Sequence, residues 1–135
     1  MRTGALEGGA GYGPVCSLTR LQDGRLAAGH GWGGDGDFSI RVWDVARREL
    51  DARLIGHTSY VMSLTVLPDG RLLSSSADHT IRVWGEGALS VRGGGDTDVC
   101  AATLVGHTGS VRSLVVLRDG AVASGSWDGS VRFWK

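Results

Sequence analysis

One pattern, written three times along the chain, limits what this sequence can fold into. The clearest copy reads Gly56-His57-Thr58, then the apolar run Val61-Met62-Ser63-Leu64-Thr65-Val66-Leu67, then Asp69-Gly70, Leu72-Leu73-Ser74-Ser75-Ser76 and Asp78-His79-Thr80-Ile81-Arg82-Val83-Trp84. The third copy repeats it as Gly106-His107-Thr108, Val111 to Leu117, Asp119-Gly120, Val122 to Ser126 and Asp128 to Trp134. His to Trp spans 27 residues in both. The first copy keeps Val15 to Leu21, Asp23-Gly24, Leu26 to Ala28 and Asp37 to Asp44, with Gly11 where His57 and His107 stand. Self-similarity at a fixed period means stacked units.

Each unit reads as short strands. The apolar, β-branched run 61–67 is one strand, and Asp69-Gly70 is a hairpin turn because Asp-Gly tolerates positive φ. Residues 72–76 form the second strand, Asp78-His79 a second turn, and 80–84 the third strand. Stretches 49–54 and 99–105 lead into the next Gly-His and supply a fourth. Strands of about five residues bury nothing alone, so each sheet must stack on a neighbour. Glycine, 23 of 135 residues, is well above its usual ~7%. With two prolines and no Gly-X-Y period, it reads as many tight turns.

These marks, in this order over residues 3–134, resemble the WD-repeat family. The resemblance implies an all-β fold: a partial β-propeller of three four-stranded antiparallel blades, as an open arc or as half of a dimeric ring. Residues 1–14 form a glycine-rich N-terminal segment with a candidate closing strand at 3–7. A degenerate first repeat covers 15–55, a second 56–105, and a third 106–135 that lacks its own last strand.

The resemblance also implies a hydrogen-bonded network inside each blade, carried by His57, Ser74, Asp78 and Trp84 and again by His107, Ser124, Asp128 and Trp134. The first blade keeps only Asp37 and Trp43, because its Ser position is expected to fall within the insertion Gly29–Gly36. Ser, His and Asp together suggest a hydrolase triad. Chemistry needs one exposed triad beside an oxyanion hole, whereas blade architecture repeats the set, so the structural reading is preferred and no catalytic residue is assigned. A propeller enzyme would need His30 or His79. His30 with Asp35 and Asp37 lacks the ligand order of a calcium loop, and neither metal nor cofactor is implied.

The family resemblance places partner binding on one end of the propeller. Carried over, the candidates are Tyr60, Met62, Ala77, Arg112 and Trp127, with Pro14, Cys16, Gly36 and Ser110 at the equivalent places. Trp, Tyr, Met and Arg are enriched in interface cores. Trp32, at the tip of the first insertion, reads as a partner-binding anchor or as a lid over the blade's end, with the lid or a disordered loop preferred. The second insertion, 85–98, reads as an exposed loop.

Formal charge is zero, 14 basic against 14 acidic, which removes the electrostatic case for nucleic acid or an anionic membrane. The stretch Arg41–Arg53 reads as a solvated face. Two cysteines and no apolar run long enough to span a bilayer suggest an intracellular setting, cytoplasmic or nuclear. The function implied is a non-catalytic protein-interaction scaffold that binds a protein or peptide. The alternative is a structural subunit of a larger complex in ubiquitin conjugation, signalling or RNA processing. Three blades are fewer than the 4–8 of closed propellers. Three resolutions stand open: a fragment of a longer propeller, a homodimer closing a six-bladed ring with exchanged 3–7 strands, or an arc alone.

Overall fold

The computed structural model describes residues 3–6, 13–31 and 37–135. They form three sheets stacked side by side. Blade 1 is β1 (Val15–Arg20), β2 (Leu26–His30), β3 (Ile40–Asp44) and β4 (Glu49–Leu54). Blade 2 begins with β5 (Val61–Val66), β6 (Leu72–Ser76) and β7 (Ile81–Trp84). A helical turn, α1 (Glu86–Leu89), and a short strand, β8 (Gly95–Thr97), precede its last strand, β9 (Ala102–Leu104). Blade 3 is β10 (Val111–Val116), β11 (Val122–Ser126) and β12 (Val131–Trp134). Within each blade, consecutive strands pair antiparallel. The Asp-Gly turns place Gly24, Gly70 and Gly120 at φ 93°, 93° and 84°, a region other residues enter at a cost.

Strand alternation gives each sheet two apolar faces. Val61, Leu64, Leu72 and Trp84 of blade 2 meet Leu21, Ala27, Ile40, Val42, Ala52 and Leu54 in one core. Leu67, Leu73, Ile81 and Val83 point the other way and meet Val111 and Val122 of blade 3. Each Val, Leu or Ile taken from water contributes about 1.5–3 kcal/mol, so the two seams between blades hold the arc together.

Three expectations are corrected. Residues 85–98 are not a free loop: β8 pairs in parallel with β4, adding a fifth strand to blade 1. Ala88 is fully buried, and Leu89 and Val91 pack on the first core. Secondly, 41–53 is a solvated face only in its middle, where residues 45–49 are exposed. Arg41 and Asp51 are buried within β3 and β4, because the insertion covers this edge. Arg25, itself buried, bonds the Leu89 carbonyl and sits 3.6 Å from Asp51, while Arg92 reaches Asp51 at 3.7 Å. Thirdly, residues 3–6 are not a strand on blade 3. Gly4, Ala5 and Leu6 line a cleft of about 270 Å³ with Leu26, Val45 and Arg48 of blade 1; Glu7 lies outside the described residues. Blade 3 therefore has three strands among the described residues.

Candidate functional site

In blade 2 a chain of side-chain hydrogen bonds runs from turn to core. His57 Nδ1 lies 2.7 Å from Asp78 Oδ2, and His57 Nε2 lies 2.7 Å from Ser74 Oγ. Trp84 Nε1–H donates to Ser74 Oγ at 2.9 Å. A carboxylate only accepts, so Nδ1 carries the proton, Nε2 accepts from the serine, and the serine oxygen accepts from the indole. A neutral imidazole thus satisfies every partner. Thr80 donates from its hydroxyl and its amide to Asp78 Oδ1, at 2.5 and 2.9 Å, and the Thr58 amide donates to Oδ2 at 3.1 Å.

Blade 3 repeats the set. His107 lies 2.8 Å from Asp128 and 2.7 Å from Ser124, and Trp134 donates to Ser124 at 2.8 Å. Ser130 takes the place of Thr80 at 2.6 Å. Burial pushes the Asp78 carboxyl up, but hydrogen bonds from His57 and Thr80 outweigh it and hold it well below the usual carboxylate range. For Asp128 the Ser130 hydroxyl leads, and with His107 it lowers the pKa likewise. Ser74 and Ser124 are 0% and 1% exposed. Their hydroxyls are closed to a substrate and already occupied by an indole N–H.

Blade 1 departs from this. The strand register places Ala28 opposite Leu18 and Arg41, as Ser74 is opposite Leu64 and Arg82. Ala28, not an insertion residue, therefore fills the Ser position and offers Trp43 no hydroxyl there. Trp43 is nonetheless buried. Asp37 caps its turn through the Ser39 amide at 2.9 Å and pairs with Arg53 at 3.1 Å and Arg41 at 4.0 Å. Burial pushes its carboxyl up, but bonds from Ser39 and the Arg53 charge outweigh this and hold it below the usual carboxylate range. Gly11, Trp32, Asp35 and Gly36 lie outside the described residues. His30 is buried with Nδ1 2.9 Å from the Gly13 carbonyl. No group of three metal-ligating side chains occurs among the described residues.

The partner-binding candidates gather at the end of the blades that carries the second turns. Each inner strand bulges one residue after its start, between Val15 and Ser17, Val61 and Ser63, and Val111 and Ser113. The extra residues are Cys16, Met62 and Arg112. A bulge re-aims a side chain at the rim of a sheet. The amides of Gly31, Ala77 and Trp127 then donate to the carbonyls of Pro14, Tyr60 and Ser110 at 2.8, 2.9 and 3.0 Å. Gly31 thus matches Ala77 and Trp127. Trp127 is 70% exposed, and the Arg112 guanidinium stacks 5.0 Å from its ring centre. Tyr60 meets Phe38 of blade 1 edge to face at 5.7 Å. Phe38 was not singled out by sequence; its signal is an aromatic where the other repeats place His79 and Gly129. Beside it a cleft of about 410 Å³ is lined by Asp37, Phe38, Arg53 and His57. A larger cleft of about 600 Å³ lies at the opposite end, among the Asp-Gly turns and α1.

A family model described as WD domain, G-beta repeat, matches residues 48–85 and 98–135. An uncharacterized WD repeat-containing protein of Schizosaccharomyces pombe is 41% identical over 76 residues, 53% of this chain and 20% of that protein. Human WD repeat and SOCS box-containing protein 1 is 47% identical over 47 residues, 33% of this chain and 11% of its own length. The chain spans a fifth or less of these relatives. Among solved structures, the WD40 β-propeller domain of Doa1 superposes with a TM-score of 0.69 at 22% identity, covering 87% of this chain and 35% of that one.

Proposed function

The chain belongs to the WD-repeat family, and on that premise we propose that it is a non-catalytic scaffold whose bulged end binds a protein or peptide. The observation that carries this reading is Trp127, 70% exposed and stacked by Arg112. A large aromatic left in water at a turn, with a cation over its ring, is the composition of an interface anchor. Tyr60, Met62, Ala77 and Phe38 extend the same rim across blades 1 and 2. An intracellular partner fits the two free thiols. No helix among the described residues is long and apolar enough to cross a membrane.

The SOCS-box relative carries its WD repeats beside a second module, by its name. A structural-subunit role beside other modules is therefore the second reading. The buried Ser74 and Ser124 argue against the hydrolase reading for these sets. Quantitative pull-down with wild type and Trp127→Ala tests the proposal. Loss of an anchor costs 2 kcal/mol or more, roughly 30-fold in affinity, with almost no change in thermal unfolding. Captured proteins unaffected by Trp127→Ala, or hydrolase activity abolished by His30→Ala, would overturn it.

A further inference from the structure

The formal charge is zero, yet the charges are not paired evenly. At the bulged end of blades 2 and 3 the turn carboxylates are used inside their own blades. Asp78 accepts from His57, Thr80 and Thr58, and Asp128 from His107, Ser130 and Thr108. Their side chains are buried, and neither is left to pair with an arginine. Asp69 and Asp119 lie in the Asp-Gly turns and Glu86 on α1, at the opposite end. Asp96 faces Arg53 at 3.6 Å, and Asp98 lies in the link between the outermost strands β8 and β9.

Blade 1 supplies the contrast. It has Gly11 in place of the histidine, and Asp37 neutralises Arg53 at 3.1 Å and Arg41 at 4.0 Å. Arg82 is the counterpart of Arg41, since both pair with the Ser position of their blade. Among the described residues Arg82 forms no ion pair, and its Nε–H is buried without an acceptor. It stands just after the turn, near the start of β7, and its guanidinium packs over Gly56, where an added Cβ would lie 2.5 Å from Nη1. Gly56 in turn lines the cleft of about 410 Å³ beside Phe38 and Ile55. Arg112, exposed on the bulge of β10, has no acid either. Its guanidinium turns one face to Trp127, 5.0 Å from the ring centre. Stacking of this kind leaves the N–H edge free to bond a carboxylate in its plane.

Resting on the reading of this end as a partner-binding surface, we propose that the partner is an acidic peptide, with one carboxylate on the edge of Arg112 and another beside Arg82. Each cation stands next to apolar surface, Trp127 for Arg112 and the Phe38 and Ile55 cleft for Arg82. An acidic residue next to an apolar one matches both places. Nucleic acid fits less well, because its affinity comes from many neutralised phosphates, and two guanidiniums on a neutral chain offer few.

Selection of random peptides displayed on phage, with the whole chain as bait, tests this. The selected peptides are expected to be enriched in Asp and Glu beside apolar residues and to bind more weakly as salt rises. For one such peptide, made synthetically and titrated by fluorescence anisotropy, Arg112→Gln is expected to weaken binding about ten-fold, with unchanged thermal unfolding. Arg82→Gln is expected to weaken it less, with circular dichroism checking that its strands are kept. Arg112→Glu is expected to turn the selection toward basic peptides. Neutral or basic peptides selected by wild type, lost on Trp127→Ala but indifferent to both arginines, would overturn the acidic partner and leave the scaffold reading standing. Failure to select any peptide would overturn it too, and the Trp127→Ala pull-down then decides the wider reading by itself. A single-stranded oligonucleotide bound more tightly than the acidic peptides would also overturn it.

Discussion

Blades 2 and 3 hold the same four side chains at nearly the same distances, yet Trp84 is fully buried and Trp134 only partly. The difference separates two sources of stability. Hydrogen-bond geometry is local to a blade: the Gly-His lead-in, the Asp turn and the paired strands set it wherever they occur. Burial comes from the neighbour. Trp84 has blade 1 and α1 packed over it, while Trp134 packs on the seam with blade 2 but lies on β12, an edge strand among the described residues. Blade 1 adds the converse case. It lacks the serine, since Ala28 stands there, yet Trp43 stays buried and its strands pair in the same register. A blade therefore pairs its strands in register without the network.

The largest expected effect is Trp84→Ala, a loss of about 3–5 kcal/mol in urea unfolding. Trp134→Ala should cost roughly half as much, in proportion to the apolar area already out of water. Equal losses would break the comparison. Acid acts on both networks. The Asp78 and Asp128 carboxyls titrate lower in the folded chain than in the unfolded one. Their contribution is complete above the unfolded value near 4 and disappears as pH falls toward the lowered folded values. Stability measured by urea unfolding should therefore drop below pH ~4, and Asp78→Asn should flatten that drop. Next comes Ser74→Ala, which strands the His57 ring nitrogen and the Trp84 indole at about 1–3 kcal/mol. Ser124→Ala should cost less, because water can reach Trp134. The smallest effect concerns the turn. His79 sits at φ 77° where blade 3 has Gly129 at φ 86°. His79→Gly should raise the midpoint of thermal unfolding by relieving a left-handed side chain, on the order of 1 kcal/mol.

Much of this was legible in the sequence, for physical reasons. Asp-Gly pairs and β-branched runs mark strands directly, and β4 and β6 begin and end where the pattern places them. The repeated Gly-His, Ser, Asp and Trp spacing names the residues that meet in blades 2 and 3. The Ser position of blade 1 was misplaced, although its signal was present: Ser74, Ser124 and Ala28 each stand four positions after the turn glycine, Gly70, Gly120 and Gly24. The 85–98 insertion was opaque, because its order comes from parallel pairing with β4 and from Arg25 and Arg92 on Asp51. Nothing local in Gly93-Gly94-Gly95 announces a partner in another blade.

Indole hydrogen exchange, followed by nuclear magnetic resonance, addresses the central point most directly, namely that these His, Ser, Asp and Trp sets hold blades together. Three of the five tryptophans decide the point in one spectrum. Trp84 Nε1–H is expected to exchange only with global unfolding, Trp134 faster, and Trp127 at nearly the rate of free indole. Exchange at Trp84 as fast as at Trp127 would contradict the account.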